Sequence, residues 1–117
     1  MSCQITSRVV SGVVVVDLSG KLCFLEVGLR NKVQGLLEEG HREFVLNLSD
    51  VPYVDSFGLG QLVTVWTSIQ RAQGKMTLFR PTEHVRKLLE ITRLDTVFSI
   101  VNDERDLRVR QIFSAPA

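Results

Sequence analysis

The chain has 117 residues, of which 44% are hydrophobic and 23% are charged, a composition typical of one globular domain. Its net charge of +1 creates no overall field that would favour nucleic acid or an anionic membrane surface. The longest aliphatic run, residues 13–16, is too short to span a bilayer, and residues 1–6 lack the pattern of a signal peptide, so we predict a single cytoplasmic domain over residues 1–117.

Two strands are predicted at the N-terminus. Residues 13–18 form a β-branched run closed by a Ser-Gly pair, which is typical of a buried strand. Residues 5–10 are shorter and more polar, and Ser11-Gly12 lies between the two runs. Because a Gly-containing pair favours a tight turn, we predict an antiparallel hairpin with residues 5–10 at a sheet edge.

Helical and strand patterns then alternate along the chain. The first helical pattern is expected to end at Gly40, and its apolar residues recur at steps of four and three: Leu25, Leu29, Val33, Leu36 and Leu37. A second helix is predicted over residues 59–69, ending near Gly74, and a third is predicted to start at Pro81-Thr82. Further strands are predicted at residues 44–48, 76–79 and 97–101, and a short terminal helix at residues 103–112.

The predicted order of elements is β-β-α-β-α-β-α-β-α. Strands that alternate with helices imply right-handed crossovers and parallel pairing. We therefore predict an α/β fold with a small, mostly parallel sheet, an N-terminal antiparallel strand and flanking helices.

Nucleotide-binding motifs are incomplete in this sequence. Gly20-Lys21 follows a strand, but the chain lacks both the preceding Gly and the following Ser or Thr of a P-loop. Gly58 and Gly60 open a predicted helix, whereas Val63 stands where a dinucleotide fingerprint has its third glycine. A nucleotide- or ligand-binding domain that uses the loop at residues 55–60 remains an alternative.

Nucleophilic and metal chemistry find little support. Cys23 has no neighbouring group that would orient it, so we interpret it as an inert cysteine. His41 lies in a turn and His84 in the first turn of a predicted helix, with no second ligand at metal spacing. Asp50 is interpreted as a turn cap. We predict no catalytic residue, no metal and no cofactor.

The most informative segment is residues 49–60, which reads SDVPYVDSFGLG. It follows a central strand and enters a helix, where open α/β sheets place their sites. The side chain of either Asp55 or Ser56 can cap the helix by accepting hydrogen bonds from the free backbone N–H groups of its first turn. Gly58 and Gly60 in the first turn each lower helix propensity by roughly 1 kcal/mol. We predict that they clear side chains from around the Ser56 hydroxyl and allow close approach by another protein.

The helix that follows carries no charged residue from Phe57 to Gln70. Its apparent outer face contains Gln61, Thr64 and Ser68. Depletion of charge is typical of the centre of a protein interface. The alternative is that loops or the terminal helix of the chain itself cover this face. Hydroxyl groups in the middle of the helix, at Thr64 and Ser68, are expected to bond back to a backbone carbonyl.

At these residues the sequence resembles the STAS domain, in particular the stand-alone anti-sigma factor antagonists of bacteria. The resemblance covers residues 5–112, and its most specific segment is VDSFGLG at residues 54–60. Residues 15–22, 44–49 and 88–95 are typical of the family but individually weak. The resemblance implies a phosphorylation-controlled protein-binding switch. It also implies that Ser56 is phosphorylated by a partner that is both anti-sigma factor and serine kinase, and is reset by a serine phosphatase. Any ATP and magnesium would belong to that kinase.

The resemblance and the uncharged helix together indicate a set of partner-binding residues: Asp55, Ser56, Phe57, Gly58, Gly60, Gln61, Thr64 and Ser68. Two positions depart from the family pattern. Cys23 stands where an Asp is frequent, and Phe57 stands where a small residue is usual, so Phe57 either narrows access to Ser56 or supplies an apolar anchor. A scaffold or transporter-associated STAS domain, in which Ser56 only caps the helix, is a further alternative.

Overall fold

The structure is a computed structural model that describes residues 3–22 and 28–107. Its strands and helices, in chain order, are β1 (Gln4–Val10), β2 (Val13–Ser19), α1 (Gly28–Glu38), β3 (Glu43–Asp50), α2 (Ser56–Arg71), β4 (Lys75–Phe79), α3 (Glu83–Ile91) and β5 (Ser99–Val101). Short 3-10 turns at Leu94–Thr96 and Glu104–Asp106 flank β5. The predicted second helix, residues 59–69, lies inside α2 and is confirmed.

The N-terminal hairpin has the turn that its sequence predicts. β1 and β2 are antiparallel, with Val10 opposite Val13. Ser11 and Gly12 both have positive φ, at 51° and 84°, as a two-residue turn with the twist of the sheet requires. β1 therefore forms one edge of the sheet, with β2 beside it.

The five strands lie in the order β1-β2-β3-β4-β5, and β2 to β5 are mutually parallel. Each crossover moves the chain to the next strand in the same direction. Because such crossovers are right-handed, α1, α2 and α3 are carried onto one face of the sheet. The prediction of a small, mostly parallel sheet with an antiparallel N-terminal strand is confirmed.

The main core lies between the sheet and the three helices. Alternate strand residues meet the buried stripes of the helices, and together they include Val14, Val16, Phe44, Leu46, Leu78, Leu29, Val33, Leu62, Val65, Ile69, Val85 and Leu89. A smaller cluster on the other face joins Val13, Val15, Val45, Phe79 and Leu107. β2 is thus buried on both faces, as its unbroken aliphatic run predicts.

The helix ends follow local chemistry. Gly40, with φ of 101°, closes α1 as predicted, and its N–H donates to the carbonyl of Leu37 at 3.0 Å. α3 begins one residue after Thr82, whose hydroxyl donates to the carbonyl of Val51 at 2.9 Å instead of capping the helix. No helix within residues 3–22 and 28–107 is long and apolar enough to cross a membrane.

The strand predicted at residues 97–101 is shorter in the structure. The N–H groups of Val97 and Phe98 both donate to the carbonyl of Leu94, at 3.0 and 2.8 Å. Because these donors are used in the preceding 3-10 turn, they are not available to the sheet, and β5 starts only at Ser99.

The terminal helix predicted at residues 103–112 is wrong over its described part. Asp103 Oδ1 accepts a hydrogen bond from the N–H of Arg105 at 2.9 Å, which closes a single 3-10 turn. Leu107 then has extended backbone, with φ −80° and ψ 145°. The rest of this prediction, residues 108–112, lies outside the described residues, as do Leu25 of the first helical pattern and Cys23.

Candidate functional site

The segment between β3 and α2 continues the sheet beyond the end of β3. Val54 pairs with Leu22 in a parallel bridge, and both side chains are buried. The N–H of Leu22 donates to the carbonyl of Tyr53 at 3.0 Å, and its own carbonyl accepts from the N–H of Asp55 at 3.2 Å. The start of α2 is therefore held against the chain that leaves β2.

Asp55, and not Ser56, caps α2. Its backbone is extended, with φ −91° and ψ −177°, and its Oδ1 accepts a hydrogen bond from the N–H of Gly58 at 2.7 Å. Ser56 is the first helical residue and is exposed. Within the described residues its hydroxyl forms no hydrogen bond. The sequence left both residues open as caps, and the structure assigns the cap to Asp55 alone.

Gly58 is buried, contrary to the expectation that it clears the surroundings of Ser56. A Cβ at this position would overlap the backbone carbonyl oxygen of Leu22. The absence of a side chain therefore lets the first turn of α2 pack directly on the backbone after β2. Packing against Leu22 therefore explains the glycine at position 58, and its membership of the partner-binding set stays a prediction.

Gly60 is exposed, and a Cβ built on it would meet no atom within 4 Å. It lies four residues after Ser56 and four before Thr64, so the three residues share one face of the helix. All three are exposed. We call Ser56, Gly60 and Thr64 the outer stripe. Packing gives no reason for a glycine here, whereas a bare helix backbone beside Ser56 permits close approach by another protein.

Two aromatic side chains lie close to Ser56 in the chain. Phe57 is 65% exposed and Tyr53 is 42% exposed. The ring of Tyr53 stacks on that of His84, with 5.3 Å between ring centroids and 23° between planes. Exposed aromatic surface of this kind is what an apolar anchor in an interface requires. His84 therefore lies beside the predicted site, at the start of α3.

The other two residues of the predicted outer face are only partly accessible. Gln61 and Ser68 are half-buried. Ser68 lines a surface groove of about 420 Å³ between α1 and α2, together with Gln34, Leu37, Glu38, Arg71 and Ala72. The Thr64 hydroxyl bonds back to the carbonyl of Gly60 at 2.9 Å, as predicted. Shielding by the chain itself therefore explains the absence of charge at Ser68, but it does not explain the absence of charge at the exposed Thr64.

The remaining chemistry-bearing candidates lie apart from this surface. His41 Nε2 is 3.9 Å from Glu39 Oε1, just after α1. Asp50 is exposed at the end of β3, where its carbonyl accepts from the N–H of Gly20 at 3.0 Å. In the described part of the chain, no three His, Cys, Asp or Glu side chains lie where they could hold a metal ion together.

A strong electrostatic interaction is found elsewhere, after β5. Hydrogen bonds from the Arg105 side chain and backbone lower the pKa of Asp103 to about 2, and the same pairing raises the pKa of Arg105. Arg105 Nη2 is 2.7 Å from Asp103 Oδ2. Both residues fix the local 3-10 turn, so this ion pair is structural.

Sequence reasoning missed the part played by Leu22 and Tyr53. Leu22 supplies the backbone that holds Asp55 and lies under Gly58, and Tyr53 supplies an exposed ring before the helix. The apolar residue two positions after Gly20 could have indicated that the chain pairs with a further segment beyond the end of β2. The partner segment, however, lies more than thirty residues away in the chain.

Comparisons with known proteins agree with this architecture. The family model described as the STAS domain matches residues 4–107. A crystal structure from Thermotoga maritima, described as that of a candidate anti-sigma factor antagonist, is 30% identical with a TM-score of 0.79, over 87% of this chain and 89% of that one. The anti-sigma-B factor antagonist of Listeria monocytogenes is 34% identical over 62 residues, which are 53% of this chain and 54% of that protein.

A structure of the Bacillus cell fate determinant SpoIIAA in its phosphorylated form shares the fold, with a TM-score of 0.67. It is 22% identical over 89% of this chain and 95% of that one, so this likeness supports the fold alone. The alignments with the curated relatives span 54% to 65% of the relatives' own lengths.

Proposed function

The chain belongs to the STAS domain family, and from this premise we propose that it is an anti-sigma factor antagonist that acts as a phosphorylation-controlled binding switch. The unphosphorylated form binds an anti-sigma factor that is also a serine kinase, and phosphorylation of Ser56 releases that partner. A serine phosphatase resets the switch. The chain supplies no catalytic group and no cofactor, because ATP and magnesium are bound by the kinase.

The observation that carries the proposal is the exposure of Ser56 at a helix start whose cap is supplied by another residue. Because Asp55 accepts the N–H of Gly58, the Ser56 hydroxyl is not needed to hold the helix. A kinase can therefore modify Ser56 without breaking a structural bond. The outer stripe beside it, with a bare backbone at Gly60, gives a partner room to approach.

The physical effect of phosphorylation follows from charge. A phosphate adds about −1.5 to −2 charges at neutral pH. The positive end of the α2 dipole tolerates this charge in the isolated chain, although the Asp55 carboxylate opposes it and already accepts the N–H of Gly58. A partner docked on the uncharged stripe would have to bury the phosphate without a matching cation. Release therefore needs no refolding of the chain.

Two other hydroxyls on α2 are poorer phosphate acceptors. The Thr64 hydroxyl is engaged with the carbonyl of Gly60. Ser68 lies half-buried in the groove beside Glu38, where a phosphate would meet like charge. Neither residue lies near the positive end of the helix dipole, which falls off within the first turn. These features favour Ser56.

The names of the relatives support the regulatory part of the proposal. The Listeria protein is named for antagonism of an anti-sigma-B factor. These names support an anti-sigma factor as the partner, and the kinase activity of that partner and the opposing phosphatase are part of our proposal. The proposal places the chain in the cytoplasm, where transcription factors of bacteria act.

The nucleotide-binding alternative is disfavoured by the geometry of the loop. A phosphate at this helix start would compete with the Asp55 carboxylate for the N–H of Gly58, and Gly58 itself is buried against the backbone of Leu22. Thermal-shift measurements against a panel of nucleotides test this alternative, and we expect no stabilisation of the chain.

The experiment that tests the proposed function is a quantitative pull-down from lysate of the native cells, followed by phosphopeptide mapping after incubation with ATP. The baits are the wild-type chain, Ser56→Ala, Ser56→Asp and, as a matched control, Thr64→Ala. We expect Ser56→Ala to capture the partner without being phosphorylated, Ser56→Asp to lose it, and Thr64→Ala to be phosphorylated like wild type. Phosphate found at Thr64 or Ser68, or equal capture by Ser56→Asp, would contradict the proposal. A scaffold role predicts no phosphorylation of any bait.

A further inference from the structure

The two edges of the sheet are closed differently. β5 forms one edge, and it has only three residues between two 3-10 turns. β1 forms the other edge with seven residues, and all seven pair with β2 in one uninterrupted register. Among the strands that the structure describes, none pairs with the outer side of β1. Long and regular edge strands of this kind are templates for pairing with another chain.

The backbone groups on the open side of β1 follow from the hairpin turn. When a hairpin has a two-residue turn, the residues that flank the turn, here Val10 and Val13, form a hydrogen-bonded pair. Such pairs then alternate along the strand with pairs that are not hydrogen-bonded. The N–H and carbonyl groups of Ile5, Ser7 and Val9 consequently point away from β2. Each of these residues therefore offers a donor and an acceptor at the edge.

The side chains of Ile5, Ser7 and Val9 lie on the helix side of the sheet, because they stand opposite three β2 residues of the main core: Leu18, Val16 and Val14. Ile5 packs partly against that core, whereas Val9 is 53% exposed. A surface pocket of about 470 Å³ lies between β1 and the start of α1, and its lining includes Cys3, Ile5, Gly28, Asn31 and Lys32. The helix side of β1 thus presents apolar surface next to a pocket.

The sequence of β1 is complementary to itself about Ser7. When two copies of β1 run antiparallel with Ser7 opposite Ser7, Ile5 of each copy stands opposite Val9 of the other. The outward backbone groups of the two strands then face each other in register. Both apolar pairs fall on the helix side of the joined sheet, where cross-strand pairs stabilise the contact. Val9 of the second copy also comes to lie beside Ile5 and its pocket.

The charge on this edge does not oppose the pairing. Arg8 is the only charged residue of β1, and its Nε is 3.0 Å from Asp17 Oδ2, so its charge is balanced within its own chain. In the pairing about Ser7, Arg8 stands opposite Thr6 and not opposite another Arg8. Lysine and proline, which protect many natural edge strands, do not occur in β1.

We propose that β1 is the contact between two copies of this chain, which pair antiparallel about Ser7 and join their five-stranded sheets into one. The occupant of the edge is a second copy because the strand matches its own reversed sequence in polarity, charge and backbone register. Interfaces below roughly 1,200 Å² are typical of weak complexes, and a contact through one strand pair is small, so the association is reversible. The inference is independent of the proposed function, because no residue of the outer stripe belongs to β1.

The first test is sedimentation of the full, unphosphorylated chain under reducing conditions, at concentrations from about 10 µM to 1 mM, where weak association is measurable. Ser7→Pro removes the central outward N–H and leaves the hydrogen bonds to β2 intact. Val9→Lys places a charge in both apolar pairs. Val97→Lys is the matched control, because Val97 is also an exposed valine, at 45%, and lies outside β1.

We expect a dimer at the upper concentrations for the wild-type chain and for Val97→Lys. The dissociation constant should rise by at least about tenfold in Ser7→Pro and in Val9→Lys, because the twofold symmetry makes each substitution act twice. An amide ¹H–¹⁵N spectrum checks the fold of each variant. If Ser7→Pro does not fold, Val9→Lys against Val97→Lys decides the comparison.

The second test examines the register of the contact. Within one chain, Ile5 and Val9 are four residues apart on a strand, about 13 Å, which is too long for an NOE between their methyl groups. In a mixture of isotope-labelled and unlabelled chains, an Ile5–Val9 methyl NOE therefore reports contact between copies, and we expect it for the wild-type chain. A monomer up to 1 mM, a dimer without this NOE, or equal dissociation constants in Val9→Lys and Val97→Lys would overturn the proposal.

Discussion

The two faces of α2 are built under different constraints. On the inner face, Gly58, Leu62, Val65 and Ile69 are buried, and contact with the sheet or with the backbone of Leu22 accounts for the size of each. On the outer stripe, Ser56, Gly60 and Thr64 are exposed, and contacts within the described chain account for none of them. Packing therefore explains the residue types of the inner face, whereas we attribute those of the outer stripe to contact with a partner.

The outer stripe is also a poor choice for stability alone. Glycine and threonine in exposed helical positions are each less favourable than alanine, glycine by about 1 kcal/mol. Charged residues, which solubilise most surface helices, are missing from Phe57 to Gln70. The comparison teaches that substitutions on the inner face should change folding, whereas those on the outer stripe should change binding.

The largest expected effect tests the inner face. Leu62→Ala removes a fully buried side chain from the core between α2 and the sheet. We expect the free energy of unfolding to fall by about 2–5 kcal/mol, because the site cannot collapse completely. Urea denaturation measures this change, and Thr64→Ala is the matched control, with an expected change within about 0.5 kcal/mol. Equal losses in both variants would remove the distinction between the two faces.

The next effect separates the two glycines of the first turn. Gly58→Ala places a methyl group against the carbonyl of Leu22, and either the helix or the segment after β2 must shift. We expect a loss of about 1–3 kcal/mol of unfolding free energy, as for other overpacked sites. If Gly58→Ala were as stable as wild type by urea denaturation, the close approach to Leu22 would be refuted.

A smaller effect distinguishes the cap from the phosphate acceptor. Asp55→Ala removes the carboxylate that accepts the N–H of Gly58, and it should lower the free energy of unfolding by about 0.5–2 kcal/mol. Ser56→Ala should leave stability nearly unchanged, because its hydroxyl does not cap. Thermal unfolding of the two variants decides the point, and a larger loss in Ser56→Ala would reverse the assignment.

The smallest expected change in stability tests whether the outer stripe binds the partner through the bare backbone at Gly60. Gly60→Ala meets no neighbouring atom and should stabilise α2 by up to about 1 kcal/mol. Gly35→Ala in α1 is the control, since a Cβ there also meets nothing within 4 Å. We expect both variants to gain stability and only Gly60→Ala to lose the partner in pull-downs. If Gly60→Ala retained the partner fully, close approach at this backbone would be excluded.

Much of the fold could be predicted because its signals are local. The turn at Ser11 and Gly12, the aliphatic run of β2 and the stop at Gly40 each depend on residues that are adjacent in the chain. The length of β5 was overestimated because the N–H groups of Val97 and Phe98 donate to the carbonyl of Leu94. Strand propensity does not reveal that this turn competes with the sheet for the two donors.

The site was predicted less completely, for physical reasons. Asp and Ser are both good caps, so the sequence pattern could not decide between Asp55 and Ser56. Gly58 and Gly60 look alike in sequence, and their difference depends on the carbonyl of Leu22, which belongs to a distant segment. Exposure of Phe57 likewise depends on the tertiary arrangement and not on its neighbours in the chain.

The most direct test of the central claim is the affinity of the captured partner for the chain with and without phosphoserine at position 56, measured by titration calorimetry. Burying an unpaired charge at an interface costs about 2–5 kcal/mol of binding free energy. We therefore predict that phosphorylation weakens binding by at least about 30-fold. Equal affinities for the two forms would contradict the account.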